Sequence, residues 1–286
     1  MQKKIAYSGY FIIITLVFLY FLFPGDAVTS YINYKINNMS PDVRISISGL
    51  QPDFPPGIKL LGPDVIYRNQ PLAGADWLRI KPAYLSLFSD NKTFFVKGDV
   101  YTGNLDSVIR LADFSANPAF DAEATFANIQ ISQIPIVEQF QNYQITGIAG
   151  GKMLFDNKEV KAGKGNAQII VTDAVVEFTP ALFGLEQLTF TSINTDFEIN
   201  GQRVVVKKFD VDSRDVSASA SGSIILRTPV NKSTINIRGE FKPHPAFIKQ
   251  LGNLFPVEML KRRQNASGVL PFRITGSVEQ PNFALR

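Results

Sequence analysis

The chain has 286 residues with no cysteine, one histidine and a formal net charge of +4, from 29 basic and 25 acidic residues. Without thiols there can be no disulfide staples, cysteine nucleophile, iron–sulfur cluster or thiolate zinc site, and one histidine cannot form a histidine metal cluster. The charges are scattered, whereas a nucleic-acid interface needs a concentrated basic surface. We therefore expect no cofactor, no metal site and no nucleic-acid partner.

An uncharged apolar stretch occupies residues 5–23, behind two lysines. As a helix it would span roughly 28 Å at about 1.5 Å per residue, close to the roughly 30 Å hydrocarbon core of a bilayer. We predict that residues 1–25 form a cytoplasmic N-terminus and a single membrane-spanning anchor, oriented by the positive-inside rule. The representative anchor side chains are Ile5, Phe11, Ile14, Val17, Leu19 and Phe23.

Two other interpretations of this stretch stay open. A cleaved signal peptide usually has an apolar region of about 7–15 residues and a small-residue cleavage site. Here the stretch is longer and ends on the bulky sequence Tyr-Phe-Leu-Phe, so a retained anchor is favoured. A buried core helix is disfavoured because the stretch lies behind two lysines at the start of the sequence.

Residues 26–41 are predicted to form a short amphipathic helix that connects the anchor to the rest of the chain. Asp26 can cap the helix, and Pro41 ends it. The helix lies either on the membrane surface or against the following domain, and we favour the second. Its apolar residues follow helical spacing: Val28, Tyr31, Ile32, Ile36 and Met39.

From residue 42 to residue 286, apolar and polar residues alternate in short runs, which is the period of half-buried strands. Turn residues separate the runs, so we predict an all-β antiparallel domain with a few short helices. Residues 105–111 also suit a helix, but a strand is favoured. The predicted strands are 43–47, 58–67, 77–88 with a break at Pro82, 94–101, 105–111, 120–128, 143–155, 167–178, 188–199, 203–212, 216–226, 234–241 and 269–278.

Turns and short helices are predicted between some of these strands. Asn200-Gly201 suits a two-residue hairpin, because both residues tolerate positive φ. One or two helical turns are expected at 132–139. A helix with proline in its first turn is expected at 245–255, and His244 should lie at its start.

A weak internal repeat relates residues 120–155 to residues 234–278. Each segment passes from an alternating strand, through a proline-containing short helix, to a strand that contains glycine. Such a unit predicts an extended sheet built by repetition, with two related subunits at about 42–160 and 161–286.

Some predicted strands carry apolar residues on both faces, as in Ile-Ile-Val at 169–171 and Val-Val-Val at 204–206. One interpretation is burial between two sheets or under a helix. The other is a curved sheet whose concave face is an apolar groove for acyl chains. The candidate groove residues are Ile169, Val171, Val204, Val206 and Ile225.

No residue pattern predicts catalysis, so the protein is expected not to be an enzyme. A Ser-His-Asp triad would have to use His244, and there is no nucleophile-elbow motif. Gly147, Gly150 and Gly151 precede Lys152, but their spacing is not that of a phosphate loop. They lie in a predicted strand, where glycine marks bulges or close packing.

The C-terminal residues 268–285 resemble the closing strands of AsmA-like proteins. Their order, Gly268, Leu270, Phe272, Ile274, Gly276, then Pro281 and Phe283, follows the pattern G-x-L-x-F-x-I-x-G-T-x-x-x-P-x-F. Ser277 replaces the usual threonine. With one N-terminal anchor, no cysteine and a β-rich remainder, the layout of the whole chain is similar to that of the type II secretion system protein N family.

This resemblance implies a single-pass protein of the bacterial inner membrane with its C-terminal domain in the periplasm. Such a protein would act without catalysis as a tether or scaffold, and its partners would be inner-membrane lipid and other type II secretion components. AsmA-like relatives are associated with envelope biogenesis and with lipid movement along an apolar β-groove. The alternative function that they imply is lipid binding or transfer, with bound lipid as the partner.

Overall fold

The computed structural model contains one fourteen-stranded antiparallel sheet, one three-stranded sheet and few helices among the residues that it describes. The β-rich antiparallel class predicted from the sequence is therefore confirmed. The structure describes residues 7, 10–11, 14–15, 17–18, 20–38, 43–54, 56–67, 69–115, 118–138, 140, 142–158, 163–182, 185–245, 247–248 and 268–285.

The elements follow one another in a chain of short hairpins, with α1 at Gly25–Asn37 ahead of the strands. Short 3₁₀ helices lie at Tyr84–Phe88, Ile131–Gln133 and Val230–Lys232. The strands are β1 Val43–Ser46, β2 Gly49–Asp53, β3 Gly57–Leu61, β4 Asp64–Tyr67, β5 Gln70–Gly74, β6 Trp77–Pro82, β7 Lys92–Val100, β8 Gly103–Leu111, β9 Phe120–Gln130, β10 Tyr143–Asp156, β11 Lys164–Leu182, β12 Leu185–Asn200, β13 Arg203–Asp212, β14 Val216–Ile225, β15 Thr234–Pro243, β16 Leu270–Ser277 and β17 Pro281–Leu285.

The large sheet is a meander in which each strand from β6 to β17 pairs with the next one along the chain. At its other end, β3 pairs with β2 and with β6, because β4 and β5 leave to form the small sheet with β1. The predicted boundary at about residue 160 falls between β10 and β11, and these two strands pair at thirteen positions in the same large sheet. The relatedness of the two halves stays a prediction.

Several predicted boundaries are wrong for local reasons. The predicted strand 58–67 is two strands in two sheets, because Gly62 adopts φ +50° and turns the chain. The predicted strand 77–88 ends at Pro82 and continues as a 3₁₀ helix. The short strands β2 and β5 were not predicted, since each contains proline and glycine, which strands disfavour.

The strand predicted at 105–111 is confirmed, while the predicted hairpin turn lies one residue further along the chain. Asn200 is the last residue of β12 and pairs with Arg203. The two-residue turn is therefore Gly201-Gln202, in which Gly201 takes the positive φ of +58°.

Helix α1 packs against β1 and β2, so the expectation that it folds onto the domain is confirmed. The amide of Asn33 bonds the backbone N–H and C=O of Ile47, each at 3.0 Å. The predicted cap is wrong, because Pro24 holds the N-cap position and Asp26 lies in the first turn. Tyr31, predicted on the apolar face, is exposed.

The predicted anchor is described only in part. Phe11 and Val17 are exposed on helical backbone, Ile14 and Phe23 are half-buried, and Ile5 and Leu19 lie outside the described residues. Within the described part of the chain, no helix has the length and apolar character needed to cross a membrane.

The helix predicted at 245–255 begins where expected. The backbone N–H of Ile248 donates to the carbonyl of His244 at 3.1 Å, which places His244 at the helix start. Residues 249–255 lie outside the described residues.

Candidate functional site: the apolar face of the sheet

One face of the large sheet carries apolar residues along its full width. Residues directly opposite one another on paired strands lie on the same face, so chains of paired residues trace rows across a sheet. The first row crosses all fourteen strands, and Thr195 is its only polar member. It consists of Leu50, Leu60, Leu78, Gly98, Leu105, Phe126, Gly151, Ile169, Thr195, Phe209, Ala220, Gly239, Phe272 and Leu285.

A second row lies beside the first and also crosses all fourteen strands, with Ser107 as its only polar member. It consists of Pro52, Ile58, Ile80, Val96, Ser107, Ala124, Met153, Ala167, Phe197, Val206, Gly222, Ile237, Ile274 and Phe283.

Two shorter rows flank these and contain no polar member. The third is Pro82, Phe94, Ile109, Ala122, Phe155, Gly165, Ile199, Val204, Ile224, Ile235, Gly276 and Pro281. The fourth is Ile129, Ala149, Val171, Ile193, Val211, Ala218, Phe241 and Leu270. We call these four rows the apolar face.

The opposite face is more polar, as one row across ten strands shows. Seven of its ten members are charged, and it consists of Gln51, Lys59, Arg79, Lys97, Asp106, Thr125, Lys152, Gln168, Asp196 and Lys208. The sheet is therefore amphipathic across its width. Most side chains of the apolar face are half-buried rather than fully enclosed.

Four of the five candidate groove residues lie together on the apolar face. Ile169, Val206, Val204 and Val171 occupy its first, second, third and fourth rows respectively. Ile225 does not join them, because it pairs with Arg203 on the polar face and is 46% exposed. In the pair Ile224-Ile225, only the strand register decides which side chain lies on the apolar face, and the sequence does not reveal that register.

The sheet bends toward its apolar face. Leu185 and Leu188 at the start of β12 pack with Phe247 against Leu270 and Phe241 of the fourth row. In a flat sheet β12 and β16 would lie about 19 Å apart, at about 4.8 Å per strand step. A cluster shared by both strands, with Phe247 as its third buried member, indicates that the sheet curves with the apolar face on the concave side.

A hydrogen bond between distant strands closes the bend. The Tyr143 hydroxyl at the start of β10 donates to the Val278 carbonyl, next to β16, at 2.9 Å. Six strand steps separate β10 from β16, which is about 29 Å along the sheet. Burial raises the pKa of the Tyr143 phenol, so the donor proton is retained to a higher pH than in an exposed tyrosine.

In the Tyr143→Phe variant the free energy of unfolding should fall by about 1–2 kcal/mol, because the Val278 carbonyl loses the hydrogen bond from the Tyr143 hydroxyl. The exposed Tyr31→Phe variant is the matched control and should change stability little. Urea unfolding of both full-length variants measures the difference. Equal stability of the two variants would show that the Tyr143 bond does not hold the bend.

A charged pocket of about 360 Å³ lies on the polar face, at the end of β8 to β12. In it Arg110 and Lys158 both bond Asp121, with the Arg110 contact at 2.7 Å. Burial opposes ionisation of Asp121, but these two donors outweigh it and hold the pKa of its carboxyl below the usual value. The cluster joins strands on the side away from the apolar face.

His244 contacts the turn between β13 and β14. Its Nδ1 lies 2.9 Å from the carbonyl oxygen of Arg214, which can only accept, so Nδ1 carries a proton, and Nε2 lies 3.0 Å from the Ser217 hydroxyl. The sequence did not predict this contact, which fixes the turn against β15. The described residues include no cluster of three histidine or carboxylate side chains placed to hold a metal.

Comparison with known proteins gave no match to a family model, to a curated protein or to a solved structure. The apolar face is therefore interpreted from its own geometry and chemistry.

Proposed function

We propose that this protein is a membrane-anchored, non-enzymatic lipid-binding protein, whose elongated, curved sheet of AsmA-like type holds acyl chains against the apolar face. Residues 5–23 anchor it in the bacterial inner membrane, and the sheet lies in the periplasm. The observation that carries the proposal is the set of four apolar rows, two of which cross all fourteen strands.

An acyl chain suits this face for two reasons. Each methylene that leaves water for an apolar surface gains about 0.8 kcal/mol, and no member of the four rows carries a charge. Thirteen strand steps of about 4.8 Å make a full row about 62 Å long, measured along the sheet. Many half-buried apolar side chains along that path leave surface for a ligand to cover.

Photocross-linking at neighbouring residues on opposite faces tests the proposal. We expect p-benzoylphenylalanine in place of Phe94 or Phe126, on the apolar face, to cross-link to phospholipid in intact membranes. The same group in place of Phe95 or Thr125, which project from the polar face, is the control. The readout is the mass added to the purified full-length protein.

Lipid adducts at positions 94 and 126, in clear excess over 95 and 125, would support the proposal. Equal labelling on both faces, or no lipid adduct on the apolar face, would overturn it. Since each pair is adjacent in one strand, proximity to the membrane affects both members alike.

The second candidate is a tether or scaffold of the type II secretion system, supported by the pattern at Gly268–Phe283 and by the layout of the chain. In that function the anchor fixes one end, and the sheet offers an edge to which a partner strand could add. Secretion of type II substrates should then fail when the gene is deleted. Unimpaired secretion in the deletion strain would exclude this candidate and leave lipid binding untouched.

A further inference from the structure

Four apolar side chains project from three neighbouring turns at one end of the large sheet. They are between 68% and 92% exposed and belong to the β2–β3 turn, the β6–β7 connection and the β8–β9 connection. We call them the apolar tips, and they are Phe54, Leu85, Phe88 and Phe114.

Contacts between the turns make the tips one surface. The Tyr84 hydroxyl, beside Leu85, donates to the Pro56 carbonyl of the β2–β3 turn at 2.8 Å. The ring of Phe114 meets Phe94 at the start of β7 edge-on, with 6.4 Å between centroids. The strands that carry these turns lie side by side in the order β9, β8, β7, β6, β3, β2.

Polar groups surround the apolar tips. The ammonium of Lys81 pairs with Asp53 at 3.1 Å, and that of Lys92 donates to the Ser89 carbonyl at 2.8 Å. Exposed apolar side chains beside lysine amines are typical of segments that lie in a membrane interface. A fluid bilayer receives separate projecting side chains, whereas a protein partner requires a surface of complementary shape.

The position of the predicted anchor points to the same partner. Gly25 follows the apolar N-terminal stretch and lies so close to β2 that a Cβ there would be 2.6 Å from the Leu50 carbonyl oxygen. Phe54 is four residues further along that strand, which is about 13 Å. The chain therefore leaves its predicted membrane segment beside the strand that ends in an apolar tip.

We infer that the apolar tips insert into the surface of a phospholipid bilayer and hold this end of the sheet against it. The inference rests on the proposed anchor, and it adds a second membrane contact in the folded domain. It also places the concave apolar face beside the lipid that would load it, because the tips lie at the ends of strands that build that face.

The absence of cysteine allows a direct test on the full chain. A single cysteine at Phe88→Cys or Phe114→Cys is labelled with the polarity-sensitive fluorophore NBD, and the protein is reconstituted into phosphatidylcholine vesicles. Leu226→Cys is the matched control, since Leu226 is also an exposed apolar residue but follows β14 in the other half of the sheet. Both tip positions are exposed, so neither substitution should disturb the fold.

We expect blue-shifted emission and strong quenching by brominated acyl chains at positions 88 and 114, and neither effect at 226. Equal quenching at all three positions, or quenching at none, would overturn the inference. So would a blue shift that persists in detergent and grows with protein concentration, because a second copy of the chain would then cover the tips. Lipid cross-links on the apolar face are a separate readout, so the failure of one proposal is distinguishable from the failure of the other.

Discussion

Replacing Val206 with asparagine is expected to lower the free energy of unfolding by about 4 kcal/mol, which combines the lost burial of an apolar side chain with a buried, unpaired amide. Val206 is 3% exposed and lies between Phe197 and Gly222 in the second apolar row. Neither neighbour offers a side-chain hydrogen bond to the new amide. Urea unfolding of the full-length protein measures the loss.

The adjacent Val205→Asn variant is the matched control. Val205 points to the polar face, where it lies between Glu198 and Ser223, and both can bond an amide. We expect a loss below about 1 kcal/mol for this variant. Equal losses at 205 and 206 would mean that the two faces are not distinguished as the strand register requires.

Most strands were predictable because one face of the sheet is apolar and the other is more polar, so apolar and polar residues alternate along a strand. Arg203–Asp212 was predicted to the residue, since a run of valines precedes its lysines and apolar side chains alternate with polar ones after them. The lysine pair Lys207-Lys208 interrupts the period, and the structure has a bulge there that keeps Val206 and Phe209 on one face. A regular alternation would have placed Phe209 on the polar face.

The apolar face as a whole was not predictable, because it depends on pairing rather than on any single strand. Each of the two full rows needs the register of thirteen strand pairs, and one slip would move a strand's apolar set to the other face. Ile225 shows the consequence, since its neighbour Ile224 holds the place in the row. The bend could not be predicted from the sequence either, because Tyr143 and Val278, whose hydrogen bond spans it, are 135 residues apart in the chain.

The bend and the apolar rows depend on one another through their small residues. Side chains on the concave side of a curved sheet crowd together, and glycine within a strand allows close approach of a neighbouring backbone. Gly98 and Gly239 lie in the first row, where a Cβ would be 2.4 Å from a carbonyl oxygen of the next strand in each case. Glycine at these positions therefore lets paired strands approach where larger side chains would force them apart.

The Gly239→Val variant should lose about 3 kcal/mol of unfolding free energy through overpacking. A Cβ at this position would meet the Ser219 carbonyl oxygen at 2.4 Å, Phe272 Cζ at 2.6 Å and the Ala220 Cβ at 2.8 Å. Urea unfolding of the full-length variant provides the measurement. Ser221→Val, an exposed β14 position whose partner is Arg238, is the control and should change stability by about 0.5 kcal/mol or less.

A second substitution separates the two sources of the clash at Gly239. Phe272→Leu removes the ring carbon that a valine would meet, but it leaves the Ser219 carbonyl in place. The double variant should therefore recover only part of the stability lost by Gly239→Val, relative to Phe272→Leu alone. Full recovery would mean that the flexible ring caused the whole effect and that close backbone approach at Gly239 is not needed. If the Gly239→Val variant were as stable as the wild type, the close packing of β14, β15 and β16 would be contradicted. The curvature that makes the apolar face concave would be contradicted with it.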